Sequence, residues 1–361
     1  MPKRAIAEWT CQALTPLWTG NVHGYCADQL LESAVLGSMR WWLEAWARGA
    51  GWNVPDPIES RVIYSSKAPH DLDIVSRVFG ATDWRRRFRL VTSGGTLSDI
   101  PAQIEAYTGN ERKRDGLSSW YYKTAPDGKA RALTGNFTIR IEQCCPWNAD
   151  YDATSLELLH DLLTFMADYG CLGAKPQMGL GVFRILSNNV AAVGPTNKAL
   201  ITWLSSRRRP KPSPSSDPNL PDLRRFRFAT LADTGASHQN QRQQWAETFR
   251  RKAVLRNQFR DPSNNRIGLD VRHTLMGTTV GQPTRAKLIL SHPYRTSAAE
   301  ATWHRRAWGW VPDEAEHNLN KLLEGRPPKL GCDPLPGVAD QSFGCAFLRH
   351  PEWENLDSLA K

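Results

Sequence analysis

Apolar residues over the first 190 positions follow two spacings, and the switches between them predict six principal elements. Ile6 to Leu14 alternates in period two and reads as a strand, closed by Thr15-Pro16. From about Ala27 to Arg48 the spacing becomes helical: Leu31, Val35, Met39, Trp42 and Trp46 make one apolar stripe. Arg40, Glu44 and Arg48 lie four apart on a different face, where pairing contributes about 0.2–0.5 kcal/mol per pair. Gly49 and Gly51 end this helix. A short helix is expected over Asp71 to Phe79, before Gly80. Phe88 to Thr92 and Asn136 to Glu142 alternate like two paired strands. Between them Ser93 to Thr134 reads as a long polar insertion, the kind that is functional or mobile. A second long helix covers Ser155 to Tyr169, with Leu159, Leu162, Leu163 and Met166 inward and Thr154 or Ser155 as cap. Val182 to Leu186 closes the series as a strand. The order β-α-β-β-α-β is the ferredoxin-like arrangement of the α+β class, which also underlies the RNA-recognition motif (RRM-like).

The second half is less regular. Ser205 to Asp222 is rich in Pro, Ser and Arg and reads as a linker or exposed loop. Leu223 to Phe228 alternates with arginines, Ser237 to Gln258 has a polar helical pattern, Arg285 to Ser291 reads as a strand, and Asp313 opens a helix to Leu323. The expected organisation is therefore tandem. A first module with a glycine-rich loop spans 1–204, a linker 205–222, and a second, degenerate ferredoxin-like module with extra helices 223–361.

Charge changes the picture. The chain of 361 residues carries a formal net charge of +10. Residues 201–310 hold 20 Lys and Arg against 7 Asp and Glu, so the net basicity comes from that segment. An uneven basic surface points to a polyanionic partner. Exposed members of the 15 tryptophans would suit base stacking. Seven cysteines, an odd number with no C-x-x-C pair, argue against both a disulfide framework and a zinc site. Cys332, Cys345 and His350 lack the paired ligand spacing as well. No apolar run reaches the ~18 residues of a membrane span, and no signal peptide opens the chain. The expectation is a reduced, cytoplasmic protein without membrane contact, cofactor or metal.

Candidate chemistry centres on Gly170 to Gly181 (GCLGAKPQMGLG), between the second long helix and the last strand. Four glycines let a backbone approach a partner closely, and Lys175 puts a positive charge where that approach occurs. The spacing is neither a Walker A loop nor a dinucleotide fingerprint. Arg85, Arg86, Arg87 and Arg89 surround Phe88; strand alternation puts Phe88 inward and Arg87 and Arg89 outward as a basic ridge. Arg207 to Lys211 reads as a flexible basic arm or linker, and Arg272, His273, Arg285 and Lys287 form a second-half candidate patch. His23 and Asp28 are the only residues placed like cleavage groups, His23 as an acid or base at a 2′-hydroxyl and Asp28 equally as an acid at a helix start.

Leu14-Thr-Pro-Leu-Trp-Thr-Gly20, Leu36-Gly-Ser-Met-Arg-Trp-Trp-Leu43, Val78-Phe-Gly-Ala-Thr-Asp-Trp84 and the glycine loop together resemble the RAMP superfamily of CRISPR effector proteins. The Thr-Pro-Leu opening with Arg-Trp-Trp looks most like the first RAMP subunit of the Cmr (type III-B) module. Residues 266–273 and 284–291 are similar to that family's second module more loosely. The loop carries Lys-Pro-Gln-Met where the family more often has an arginine-rich filling. The resemblance implies a non-catalytic RNA-binding subunit at one end of an antiviral ribonucleoprotein, beside other RAMP subunits and in contact with guide RNA and target RNA. It implies an RNA-binding role for Gly173, Lys175, Gln177, Gly179 and Gly181, and for Arg40 and Ser33 on the first helix. The alternative it implies is a metal-independent endoribonuclease that processes guide RNA with His23.

Overall fold

A computed structural model describes residues 5–49, 52–56, 72–100, 125–144, 149–189, 220–233 and 286–310, with single positions at 245, 248, 275 and 277. β1 (Ala5–Ala13) buries Ala7, Trp9 and Cys11 and turns Glu8, Thr10 and Gln12 the other way, as period two requires. α1 spans Glu32–Gly49, five residues shorter at its start than the apolar stripe suggests. Residues 27–31 are held out of the helix by partners elsewhere. Ala27 N–H donates to Thr19 O (2.7 Å), and the hydroxyls of Thr19 and Thr92 donate to Gln29 O and Leu30 O. α2 (Ile74–Phe79) is capped by Asp73, whose carboxylate accepts from the N–H groups of Val75 and Ser76, both at 2.9 Å.

β2 (Phe88–Ile100) and β3 (Ala130–Gln143) are far longer than the alternating runs that announced them, and they take up both ends of the expected insertion. A register shift between Gly94 and Thr96, with Gly94, Gly95 and Gly135 at positive φ, breaks the alternation without ending the pairing. α3 spans Ala149–Asp168 and β4 Phe183–Asn188. The four strands make one antiparallel sheet in the order β2-β3-β1-β4, the order a split βαβ unit produces.

β5 (Phe226–Asp233), β6 (Leu288–Leu290) and β7 (Trp303–Trp310) form a second antiparallel sheet, ordered β5-β7-β6. β7 escaped the sequence reading because its buried residues include Arg305 and Arg306 as well as Ala307 and Trp308. Trp245 and Thr248 are helical, in agreement with the expected helix over 237–258; the helix expected from Asp313 lies outside the described residues.

The helices are sandwiched between the two sheets. Trp42 of α1 meets Phe165 of α3 at 5.5 Å between ring centroids, and Phe226 and Phe228 of β5 at 5.6 and 6.4 Å. Trp41 packs edge-on against Phe226 and Trp310. Trp42 is core, as its place in the stripe implies. This second layer also covers Glu44 and Arg48, which lie off the apolar stripe yet are only 6% and 4% exposed. The Arg48 guanidinium donates to the carbonyls of Val54, Pro221 and Pro55 and lies 3.7 Å from Glu44. Pro221 and Asp222 are buried too, so the end of the expected exposed linker is part of the core; residues 205–219 lie outside the described residues.

Candidate nucleic-acid interface

The glycine loop joins α3 to β4 and is folded inward on its own hydrogen bonds. Leu172 N–H donates to Gly181 O (2.8 Å), Ala174 N–H to Trp18 O (2.8 Å), Gly179 N–H to Pro176 O (2.8 Å) and Gly181 N–H to Pro16 O (3.0 Å). Gly173 N–H donates to Ser38 Oγ (3.0 Å). The donors of Gly173, Gly179 and Gly181, expected to face RNA, are engaged inside the protein. Their glycines answer a packing need instead. A Cβ on Gly173 would stand 2.7 Å from Trp18 O, and one on Gly181 2.3 Å from Leu172 O, both at positive φ.

What the loop presents outward is its crest. Ala174 and Gln177 are exposed, and Lys175 sits between them in the left-handed conformation at φ 60°. The Lys175 ammonium lies 3.9 Å from the centroid of the Trp18 ring. Such a cation–π contact contributes about 1–2 kcal/mol when partly desolvated and fixes where the charge stands. Partial burial lowers the Lys175 pKa from its ordinary value, with the Cys26 thiol opposing that shift.

Ser38 ties this crest to α1, and the residues beside it on the helix are bare. Ser33 and Gly37, one turn apart, are exposed. A Cβ on Gly37 would meet nothing within 4 Å, so no neighbour in the protein requires glycine there. On the far side of this strip the Arg40 guanidinium donates to Glu44 Oε1 (3.2 Å) and Gly80 O (3.0 Å). Arg40 thus pairs with Glu44, as their four-residue spacing predicts, and also holds α1 to the end of α2.

Beyond Gly80 lies the basic ridge. Arg85 and Arg89 are exposed; Arg89 stands 3.7 Å from Glu32 at the start of α1. The Arg87 guanidinium lies 5.5 Å from the Trp84 ring centroid, and Arg86 Nε donates to Phe88 O (3.1 Å). Phe88 is buried, as alternation requires. The outer face of the first sheet carries Glu8, Thr10 and Gln12 opposite Arg140, Thr138 and Asn136. These positions hold no aromatic platform of the RNA-recognition-motif kind.

Elsewhere the sequence candidates fare differently. Lys287 is 8% exposed, which removes it from a surface patch, while Arg272, His273, Arg285 and the 207–211 arm lie outside the described residues. His23 is exposed in a turn whose Asn21 side chain accepts from the N–H groups of His23 and Tyr25. Asp28 is exposed but precedes the helix by four residues; the acid in the first turn of α1 is Glu32. Among the described residues no group of His, Cys, Asp and Glu is placed to hold a metal ion, and no helix is long and apolar enough to cross a membrane. Sequence reasoning missed two contributors. Trp18 belongs to no periodic run, and Gly37 reads as an ordinary helix residue.

Sheet order and element order together define a split-βαβ module of the α+β class. A RAMP superfamily model matches residues 10–184, from within β1 to the start of β4. No curated protein sequence matches the chain. Among solved structures it is similar to Cmr1 from Pyrococcus furiosus in its apo form, at 13% identity over 85% of this chain and 88% of that one, with a TM-score of 0.44. It is also similar to a chain of the type III-B Cmr-beta complex bound to cognate target RNA, at 9% identity over 85% and 94%, with a TM-score of 0.47. A chain of a type IV-B CRISPR complex matches at 12% identity over 53% and 92%, with a TM-score of 0.31.

Proposed function

We propose that the protein is a non-catalytic RNA-binding RAMP subunit of a type III, Cmr-like CRISPR interference ribonucleoprotein, contacting guide or target RNA at one end of the complex. The observation that carries the reading is a bare helical strip flanked by cations. Ser33 and Gly37 leave α1 open to close approach, with the Lys175 crest on one side and Arg85 and Arg89 on the other. A sugar–phosphate chain fits that pattern because its charge lies on its outside and its backbone needs no side-chain readout. On this reading sequence is read by base pairing in the guide, and the protein contributes charge and shape. The second sheet is taken as the remnant of a degenerate second ferredoxin-like module with extra helices. Its role is to hold α1 and the glycine loop, and other RAMP subunits would dock beside it.

The test is binding of single-stranded RNA of unrelated sequences across a salt series. Affinity is expected to fall with log salt at about 0.7 per phosphate neutralised, with little dependence on sequence. A response flat in salt refutes the proposal. Specific cleavage of a repeat RNA in EDTA, lost in His23→Ala, would replace it with the endoribonuclease reading.

A further inference from the structure

Beside the strip, where α1, α2 and β2 meet, an open cleft of about 680 Å³ is lined by Glu32, Phe79, Trp84, Arg85, Arg86 and Arg89, with Gly80, Ala81, Phe88 and Cys144 completing the wall. Three features define what fits. Two exposed guanidiniums, Arg85 and Arg89, lie along its rim, and planar donor forks of this kind match phosphate oxygens. Trp84 is half-buried and locked in place, its Nε1–H donating to Arg77 O (3.1 Å), so a flat ring is held in the wall. Glu32 is the one carboxylate among the lining residues, an acceptor for hydroxyl or amine donors.

We propose that this cleft is a nucleotide site. The phosphate lies between Arg85 and Arg89, the base against Trp84, and the ribose hydroxyls toward Glu32. The proposal deepens the RNA-binding reading and rests on it for the strand that supplies the nucleotide; a free nucleotide presents the same chemistry. The positioning follows from the wall itself. Arg40 clamps Gly80 O to α1 and Arg86 clamps Phe88 O, so the loop between α2 and β2 is braced at both ends. A braced aromatic with exposed cations at the rim suits one stacked base and one phosphate, and base–aromatic stacking tolerates any base.

The experiment compares the full-length protein with the Arg85→Ala/Arg89→Ala double variant and with Lys175→Ala, after thermal unfolding verifies that all three fold. Fluorescence anisotropy with labelled single-stranded RNA across a salt series gives affinity and salt slope. Photocrosslinking of 4-thiouridine RNA, mapped by mass spectrometry, locates the contact, and calorimetry with AMP probes the free nucleotide. The double variant is expected to lose about tenfold in affinity and about 0.7 in salt slope, with wild-type crosslinks on residues 79–89. AMP binding that disappears in the double variant also supports the cleft and identifies a free nucleotide as a source. If wild type binds RNA but the double variant keeps the full slope and no crosslink falls on 79–89, the cleft assignment is overturned and the RNA reading stands. If RNA fails to bind while AMP binds through the two arginines, the cleft stands and the RNA reading falls. Failure of both ligands overturns both.

Discussion

Replacing Gly37 by alanine separates what α1 needs for folding from what it needs for binding. Gly37 is exposed in the interior of the helix, its φ is not positive, and an added Cβ meets nothing within 4 Å. Inside a helix, glycine is less favourable than alanine by about 0.5–1 kcal/mol. Gly37→Ala is therefore expected to stabilise the fold by that amount, which for a chain of this size raises Tm by about 1 °C. For RNA the sign reverses. A methyl on the bare strip holds the phosphodiester chain off the helix, and losing one charge-assisted hydrogen bond costs about 1.5 kcal/mol, roughly tenfold in Kd. The assay pairs calorimetric Tm with RNA anisotropy on the same preparations. Gly173→Ala serves as the contrast. Its Cβ would lie 2.7 Å from Trp18 O at φ 85°, so the same substitution there is expected to lower Tm. A Gly37→Ala protein with raised Tm and unchanged Kd would refute the assignment of the strip to RNA.

On the proposed reading, Lys175→Ala is expected to weaken RNA binding and lower the salt slope by about 0.7, the share of one phosphate-facing charge; a reduced affinity at unchanged slope would mean Lys175 acts only by packing on Trp18. Arg306→Ala removes the buried donor to Gly170 O (2.9 Å) that ties β7 to the start of the glycine loop. An orphaned buried carbonyl costs about 1–3 kcal/mol, visible as a lower urea midpoint at unchanged m-value, and a midpoint at the wild-type value would refute that role. His160 accepts a hydrogen bond from Trp9 Nε1 (3.1 Å), and burial lowers its pKa below the ordinary 6.5. With the folded value below the unfolded one, the unfolded chain takes up the proton first, so stability falls as pH drops through 6.5 toward the folded value. Urea midpoints at neutral and mildly acidic pH should therefore diverge less for His160→Gln than for wild type, and equal losses would refute the assignment.

The order of β1, α1, β2, β3, α3 and β4 was written in the spacing of apolar residues, because each element buries one face and that face has a period. The sequence by itself also put Trp42 in the core and Phe88 inward, and it singled out the loop that carries Lys175. Three features needed the tertiary structure. Whether Glu44 and Arg48 face water depends on β5 and Pro221, residues more than 170 positions away that cover the helix. Whether the glycines of the loop serve a ligand or the protein depends on Trp18, Ser38 and Pro16, whose oxygens take the loop's donors. The extent of β2 and β3 was hidden because a bulge shifts the phase of alternation while the backbone pairing continues. A local pattern reports which face of an element is apolar. Only the packed chain decides what lies against that face and which polar groups remain for a partner.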